Sequence, residues 1–260
     1  SILNNVSALG ASRQLASTGA GRQQTIERLT TGRRINRASD DAAGLGISNR
    51  LGADIRIASQ GKRNANDGIS YLQVADGVLD EVTNLLTRAA ELAEQAKTGT
   101  ISASNAANIQ LEFANIITTI NDIGSNTKFN GANIFGATLT VSVGDFTNVG
   151  VTLGTPNGIL TGSLGTVSDA TTAKTTIGDA INSVSALRAS IGASQQQLQA
   201  VANSLGIQVE NFTSAYSQIR DANIADEVVN LTKFQILNQS GTSALSSANQ
   251  SQQQILALLQ

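Results

Sequence analysis

Of the side chains that commonly do chemistry, this sequence keeps carboxylates, lysines, arginines and hydroxyls, but it has no histidine and no cysteine. Without histidine the commonest general base near neutral pH is gone. With it go the zinc-binding helix motif and every serine or cysteine nucleophile that relies on an imidazole. Without cysteine there is no disulfide and no thiolate metal site. Acid–base work would fall to carboxylates or to a lysine, yet the Asp and Glu residues stand singly along helical stretches or at their starts. The densest charged group lies in LTTGRRINRASDDAAGLGISNRL (29–51), where Arg33, Arg34 and Arg37 precede Ser39, Asp40 and Asp41. Such a group can hold an anion or a cation, but its spacing is neither that of a phosphate loop nor that of a calcium loop. A serine followed by two acids fits a helix start, with Ser39 as N-cap and the carboxylates in the first turn, where the helix dipole favours negative charge. The expectation is a capped, salt-bridged joint between helices. No catalytic, cofactor-binding or metal-binding residue is assigned, no cofactor is expected, and the chain is not expected to be an enzyme.

The elements around that joint are read from periodicity. From Ile177 to Ile219 every seventh residue is apolar: Ile177, Val184, Ile191, Leu198, Leu205, Phe212 and Ile219. The interleaved positions Ile181, Ala202, Val209 and Tyr216 complete a period near 3.5, broken by Arg188 and Gln195. A second series of equal length, Leu51, Ala58, Ala65, Leu72, Leu79, Leu86 and Ala93, makes a natural partner. At about 1.5 Å rise per residue each would extend roughly 65 Å. A stripe of this kind is ordinarily core, which leaves these helices structural.

Between them, Ile109, Phe113, Ile116, Ile120 and Ile123 mark a further helix that Gly124 is expected to close. The period then drops to two: Leu139, Val141 and Val143, a turn at Gly144-Asp145, then Val149, Val151 and Leu153. That pattern reads as a β-hairpin near 137–153. The Gly-, Thr- and Ser-rich stretch that follows holds the only proline, Pro156, and is expected to be an exposed loop over 154–176. At the two ends the stripes are thin. Ile2, Val6, Leu9, Ala16, Ala20, Ile26 and Leu29 run through the first, and Ile224, Val228, Leu231, Gly241, Leu245, Ala248, Gln252, Ile255 and Leu259 through the last. A phase shift at RDANIADE (220–227) marks a second joint. Beyond Lys233 no side chain is charged, so Phe234 to Gln260 form a stretch poorly protected against association, which points to association as its purpose. The fold class expected is mainly α: a long antiparallel coiled-coil bundle with a small β-hairpin, plus a two-helix terminal coiled-coil domain.

Composition narrows the partners. A net charge of −2 supplies no basic field for nucleic acid. No apolar run reaches the roughly 20 residues of a membrane span, and the first residues lack the order of a cleavable signal peptide, so no membrane partner is expected, and the chain is expected either to stay in the cytoplasm or to leave by a route that reads something else.

Four runs, laid out in order, carry a resemblance: residues 29–51 quoted above, NDGISYLQVADGVLDEV (66–82), NTKFNGANIF (126–135) and VENFTSAYSQIRDANIADEVVNLTKFQILNQSGTSALSSANQSQQQILALL (209–259). Over nearly its whole length the chain resembles bacterial flagellin, in a short form lacking the large surface domains that many members insert in the middle. The resemblance implies an inner domain (1–35 and 221–260) whose paired terminal helices line the filament channel, and an outer domain (36–220). It implies a secreted subunit, exported unfolded through the flagellar type III apparatus, that polymerises with itself into the filament used for swimming. An export chaperone, the cap and the hook-junction proteins would be its partners. Assembly would draw on Ile2, Val6, Leu9, Leu245, Ile255, Leu256, Leu258 and Leu259. An innate-immune patch for a Toll-like receptor would map to Arg88, Leu92, Gln95 and Glu112. The alternatives are the hook–filament junction protein of the same superfamily and, from another class, the coiled-coil signalling hairpin of a chemoreceptor, which would lack the hairpin and the two joints.

Overall fold

The computed structural model describes residues 5–156 and 163–257, with side chains through 254. In chain order its elements are α1 (Val6–Thr31), α2 (Ala42–Ala96), α3 (Ala103–Asn126), β1 (Lys128–Phe129), β2 (Ala132–Asn133), β3 (Thr138–Val141), β4 (Val149–Thr152), α4 (Val167–Arg220) and α5 (Ile224–Ala257). The architecture is mainly helical with two small antiparallel hairpins. The chain forms two compact units, Ser1–Ile55 with Glu210–Gln260, and Arg56–Val209, so the division falls inside α2 and α4.

The larger unit, 56–209, holds the hydrophobic core. Ala58, Ala65, Leu72, Leu79, Leu86 and Ala93 of α2 are all buried, as are Ile177, Val184, Ile191, Leu198 and Leu205 of α4, so within this unit both heptad series form the expected seam, while Leu51, Phe212 and Ile219 belong to the smaller unit and are half-buried. The helices run antiparallel: Lys174 of α4 bonds Glu94 of α2, and Arg188 bridges Asp76 and Asp80 at 2.9 and 2.8 Å. Arg188 interrupts the apolar series because its guanidinium spans two carboxylates one helical turn apart at the edge of the seam, where its stem still covers apolar surface. Those bonds, to Asp76 above all, raise its pKa. α3 adds Ile109, Phe113, Ile116 and Ile120 to the same core.

The β3–β4 hairpin lies where alternation placed it, pairing Thr138 with Thr152 and Val141 with Val149, and it buries Val141, Val143, Val149, Val151 and Leu153. Its seat on α2 is made by missing side chains. A Cβ at Gly61 would stand 2.9 Å from the Val143 carbonyl carbon, and one at Gly68 2.7 Å from a Val141 methyl. Two glycines one heptad apart therefore cut a groove into the helix surface for the strand.

Three expectations are corrected. Gly124 does not close α3. The helix continues to Asn126 and ends at Thr127, whose N–H and hydroxyl both donate to the Ile123 carbonyl, and Gly124 is buried in the last turn. A second hairpin, β1–β2, precedes the one read from sequence. Asn130 and Gly131 at its tip have φ of 49° and 83°, the positive angles that a two-residue turn requires and that Asn-Gly supplies. The loop expected over 154–176 is shorter, because α4 begins at Val167. The Thr166 hydroxyl accepts the Asp169 N–H at 3.1 Å and donates to the Asp169 carboxylate at 2.6 Å, a reciprocal cap that starts the helix within the Thr/Ser-rich stretch. Pro156 and Leu164 at its flanks are buried, and the Leu164 N–H donates to the Gln110 side chain. Residues 157–162 of that loop lie outside the described residues.

Candidate functional site: the terminal helix pair

The smaller unit is built around α1 packed antiparallel on α5. Asn5 caps α1, its side chain accepting the Ala8 N–H at 2.9 Å and donating to the Ala248 carbonyl of α5 at 3.0 Å. Further along, Leu15 packs on Gly241, and the Phe234 ring lies on Gly21 so closely that a Cβ there would stand 2.7 Å from the ring edge. Arg28 and Glu227 form an ion pair at 3.2 Å with Glu227 7% exposed. The helix ends are tied by backbone. The Arg34 N–H donates to the Arg220 carbonyl at 2.7 Å and the Ala222 N–H to the Gly32 carbonyl at 3.0 Å, an antiparallel bridge between the two joints. Gly32, at φ 68°, lets α1 stop and turn into that bridge.

Apart from Leu15, the α1 side chains between the helices are small or polar: Ala8, Ala11, Thr18 and Thr25 are, like Leu15, buried or half-buried. The bulkier apolar groups face away from the seam. Val6 is 71% exposed, Leu9 62%, Val229 67% and Ile236 60%, with Ile26, Ile224, Val228 and Leu237 also exposed. Val228, Val229, Thr232, Lys233, Ile236 and Leu237 line a shallow apolar groove along α5. This corrects the stripes read for the two ends. In the last helix the series holds from Gly241 through Leu245 and Ala248 to Gln252, all half-buried, but Ile224 and Val228 belong to the outer face. In α1 the outer face carries Val6, Leu9 and Ile26. The exposed bulky residues dominated the pattern, whereas the seam sets Leu15, Phe234 and Leu245 among glycines and small side chains. A period-3.5 search for small residues would have found it. Of the other residues expected to serve assembly, Leu245 is half-buried in the seam and Ile255 and Leu256 lie on α5. Ile2, Leu258 and Leu259 lie outside the described residues.

The charged cluster of 33–41 is a joint, with its cap two residues beyond the expected Ser39. Asp41 caps α2, its carboxylate accepting the Gly44 N–H at 2.8 Å, and Ser39 is exposed in the preceding turn. Asp40 accepts the N–H groups of Asn36 and Arg37, each at 3.0 Å, and the Gln24 amide at 3.0 Å. The Arg37 N–H, then that of Asn36, hold its pKa below the ordinary 3.8. Arg37 pairs with Glu27 at 3.0 Å. These carboxylates are occupied in holding backbone, and among the described residues no three His, Cys, Asp or Glu groups come together as a metal site would need.

On the larger unit, Arg88 and Glu112 are linked at 2.8 Å, and Glu91 joins Arg88 at 3.0 Å. The bonds to Glu112 and then to Glu91 raise the Arg88 pKa. Gln95 is exposed beside them, whereas Leu92, on the same helix, is 1% exposed and part of the core. Helical spacing brought Arg88, Leu92 and Gln95 together but could not tell that the middle one is buried in the core.

A helical chain with a paired terminal unit, a small-residue seam within and apolar side chains without is built as a subunit of an assembly. Family models agree along the chain: residues 2–140 match the bacterial flagellin N-terminal helical region and 174–259 the bacterial flagellin C-terminal helical region. The chain is 35% identical to Flagellin FlaB1 of Treponema pallidum over 99% of both chains, and 36% identical to the flagellin of Halalkalibacterium halodurans, again over 99% of both. Among solved structures it is similar to the crystal structure of Bacillus cereus flagellin, with a TM-score of 0.52 and 25% identity over 55% of this chain and 88% of that one. The chain belongs to the bacterial flagellin family.

Proposed function

We infer that the chain is the structural subunit of a bacterial flagellar filament, secreted and polymerised with copies of itself to give the shaft used in motility. Full-length similarity to flagellins supports this. The structural observation that carries it is the outward apolar face of the terminal pair, where Val228, Val229, Ile236 and Leu237 are exposed among the described residues. Exposed apolar surface of that kind is favourable only when a second chain buries it. The combined variant Val228→Ser, Val229→Ser, Ile236→Ser and Leu237→Ser tests the reading by electron microscopy and sedimentation. It should leave the helical content and the melting of unit 56–209 as in the parent while filaments disappear. Filaments at parental yield would place the subunit contact elsewhere.

Within that reading, 1–35 and 221–260 form the inner domain lining the filament channel and 36–220 the outer domain. Thr155 and Thr166, on either side of residues 157–162, are exposed and in this reading face solvent on the shaft. Export chaperone, cap and hook-junction proteins are its partners on the way to the tip. A Toll-like receptor would bind through Arg88, Gln95 and Glu112, whose polar groups face solvent, with the buried Leu92 acting from beneath through the core of the unit. Arg88→Ala should weaken receptor signalling by the monomer by about 2 kcal/mol, a shift of more than tenfold in half-maximal dose. An unchanged dose response would remove the patch.

A further inference from the structure

The seam between α1 and α5 is weakly self-specifying. Ala8, Ala11, Leu15 and Thr18 on one side and Gly241, Leu245, Ala248 and Gln252 on the other recur at heptad spacing. Sliding one helix by seven residues therefore sets Leu15 opposite Ala248 in one direction and Ala8 opposite Gly241 in the other, pairings the heptad repeat itself does not forbid. The backbone bridge at the joints holds the helix ends together but reads no side chain, so it acts at the ends of the pair and not along the seam. Two features distinguish the observed alignment from its neighbours. One is steric, the fit of Phe234 over Gly21 and of Leu15 over Gly241. The other is the Arg28–Glu227 pair. In one slip Arg28 would meet Phe234 and Glu227 would pass the end of α1. In the other, Glu227 would come opposite Gly21 and Arg28 would pass the start of α5. Either leaves a charge at the seam without its partner, the arrangement that penalises a buried ion most. The pair is also poorly arranged for simple stabilisation: it makes a single 3.2 Å contact, and Arg28 Nε and Glu227 Oε2 are buried with no hydrogen-bond partner.

We propose that Arg28 and Glu227 are the register key of the terminal helix pair, selecting one antiparallel phase of α1 on α5 out of alternatives that the heptad repeat of the seam leaves open. The assignment concerns one chain's own helices and stands apart from the filament reading.

The absence of native cysteine makes a disulfide test clean. Ala11→Cys with Leu245→Cys reports the observed register, while Ala11→Cys with Gln252→Cys and Ala11→Cys with Asn238→Cys report the two slips. Each pair is placed in the full-length parent, in Arg28→Met/Glu227→Met and in the swap Arg28→Glu/Glu227→Arg. Assembled protein is then oxidised and intrachain links are read on a non-reducing gel. Parent and swap should give the 11/245 link alone, and the Met double should raise the slipped links about tenfold while keeping its helical content. A Met double that stays in the parental register would assign the phase to the glycine sockets or the joint and overturn the proposal, as would a swap that slips. Where a variant fails to assemble, oxidising the free full-length chain in sulfate, which strengthens burial, reads the same links.

Discussion

Asp40 shows how much one carboxylate does at a joint. Its oxygens take two backbone N–H groups and one amide, so the turn between α1 and α2 is closed by a side chain. Because its folded pKa lies below the unfolded value, the stabilisation is present above the unfolded pKa and is lost as pH falls through the folded one. A carbon-detected NMR titration should find the Asp40 carboxyl protonating below 3.8, and Arg37→Pro, which deletes the first of the N–H donors, should move it upward. A titration of Asp40 at the ordinary value in the parent would contradict the geometry. That Asp41 and not Ser39 caps α2 was not readable in advance, since Ser39, Asp40 and Asp41 are all good caps and the choice rests on where the preceding turn ends.

At the scale of elements, what was legible was what large side chains write into a period. The seam of α2 and α4 and the alternation of β3 and β4 came through because Leu, Ile and Val mark the buried face. What escaped was written in small or absent side chains: the Gly61–Gly68 groove, the Gly21 and Gly241 sockets and the Thr166–Asp169 cap. The Asn130-Gly131 turn carried a clear local signal but stood between strands too short to show alternation. The groove makes an opposed pair of expectations within one helix. Gly61→Ala should lower the melting temperature, because the new methyl meets hairpin backbone, with a loss of about 1–3 kcal/mol that exceeds the gain in helix propensity. Gly77→Ala meets nothing within 4 Å and should stabilise by about 0.5–1 kcal/mol. Denaturant melts of the two variants decide the point. A stabilised Gly61→Ala would mean that the hairpin shifts freely on α2.

For the whole molecule, the contrast between the two units matters most. Unit 56–209 closes a core of its own, whereas the terminal pair holds itself with glycine sockets, small side chains and an ion pair and turns Val6, Leu9, Val229 and Ile236 outward. That outward face has a thermal consequence. Burying apolar surface is driven near room temperature by the entropy of water, and this driving force fades on cooling. If those side chains supply the contacts between subunits, chilling should loosen the polymer while the core of each subunit persists. The concentration of free chain in equilibrium with filaments, measured by sedimentation, should therefore rise in the cold and fall on gentle warming. A free concentration that falls on chilling would mean that polar contacts hold the subunits together.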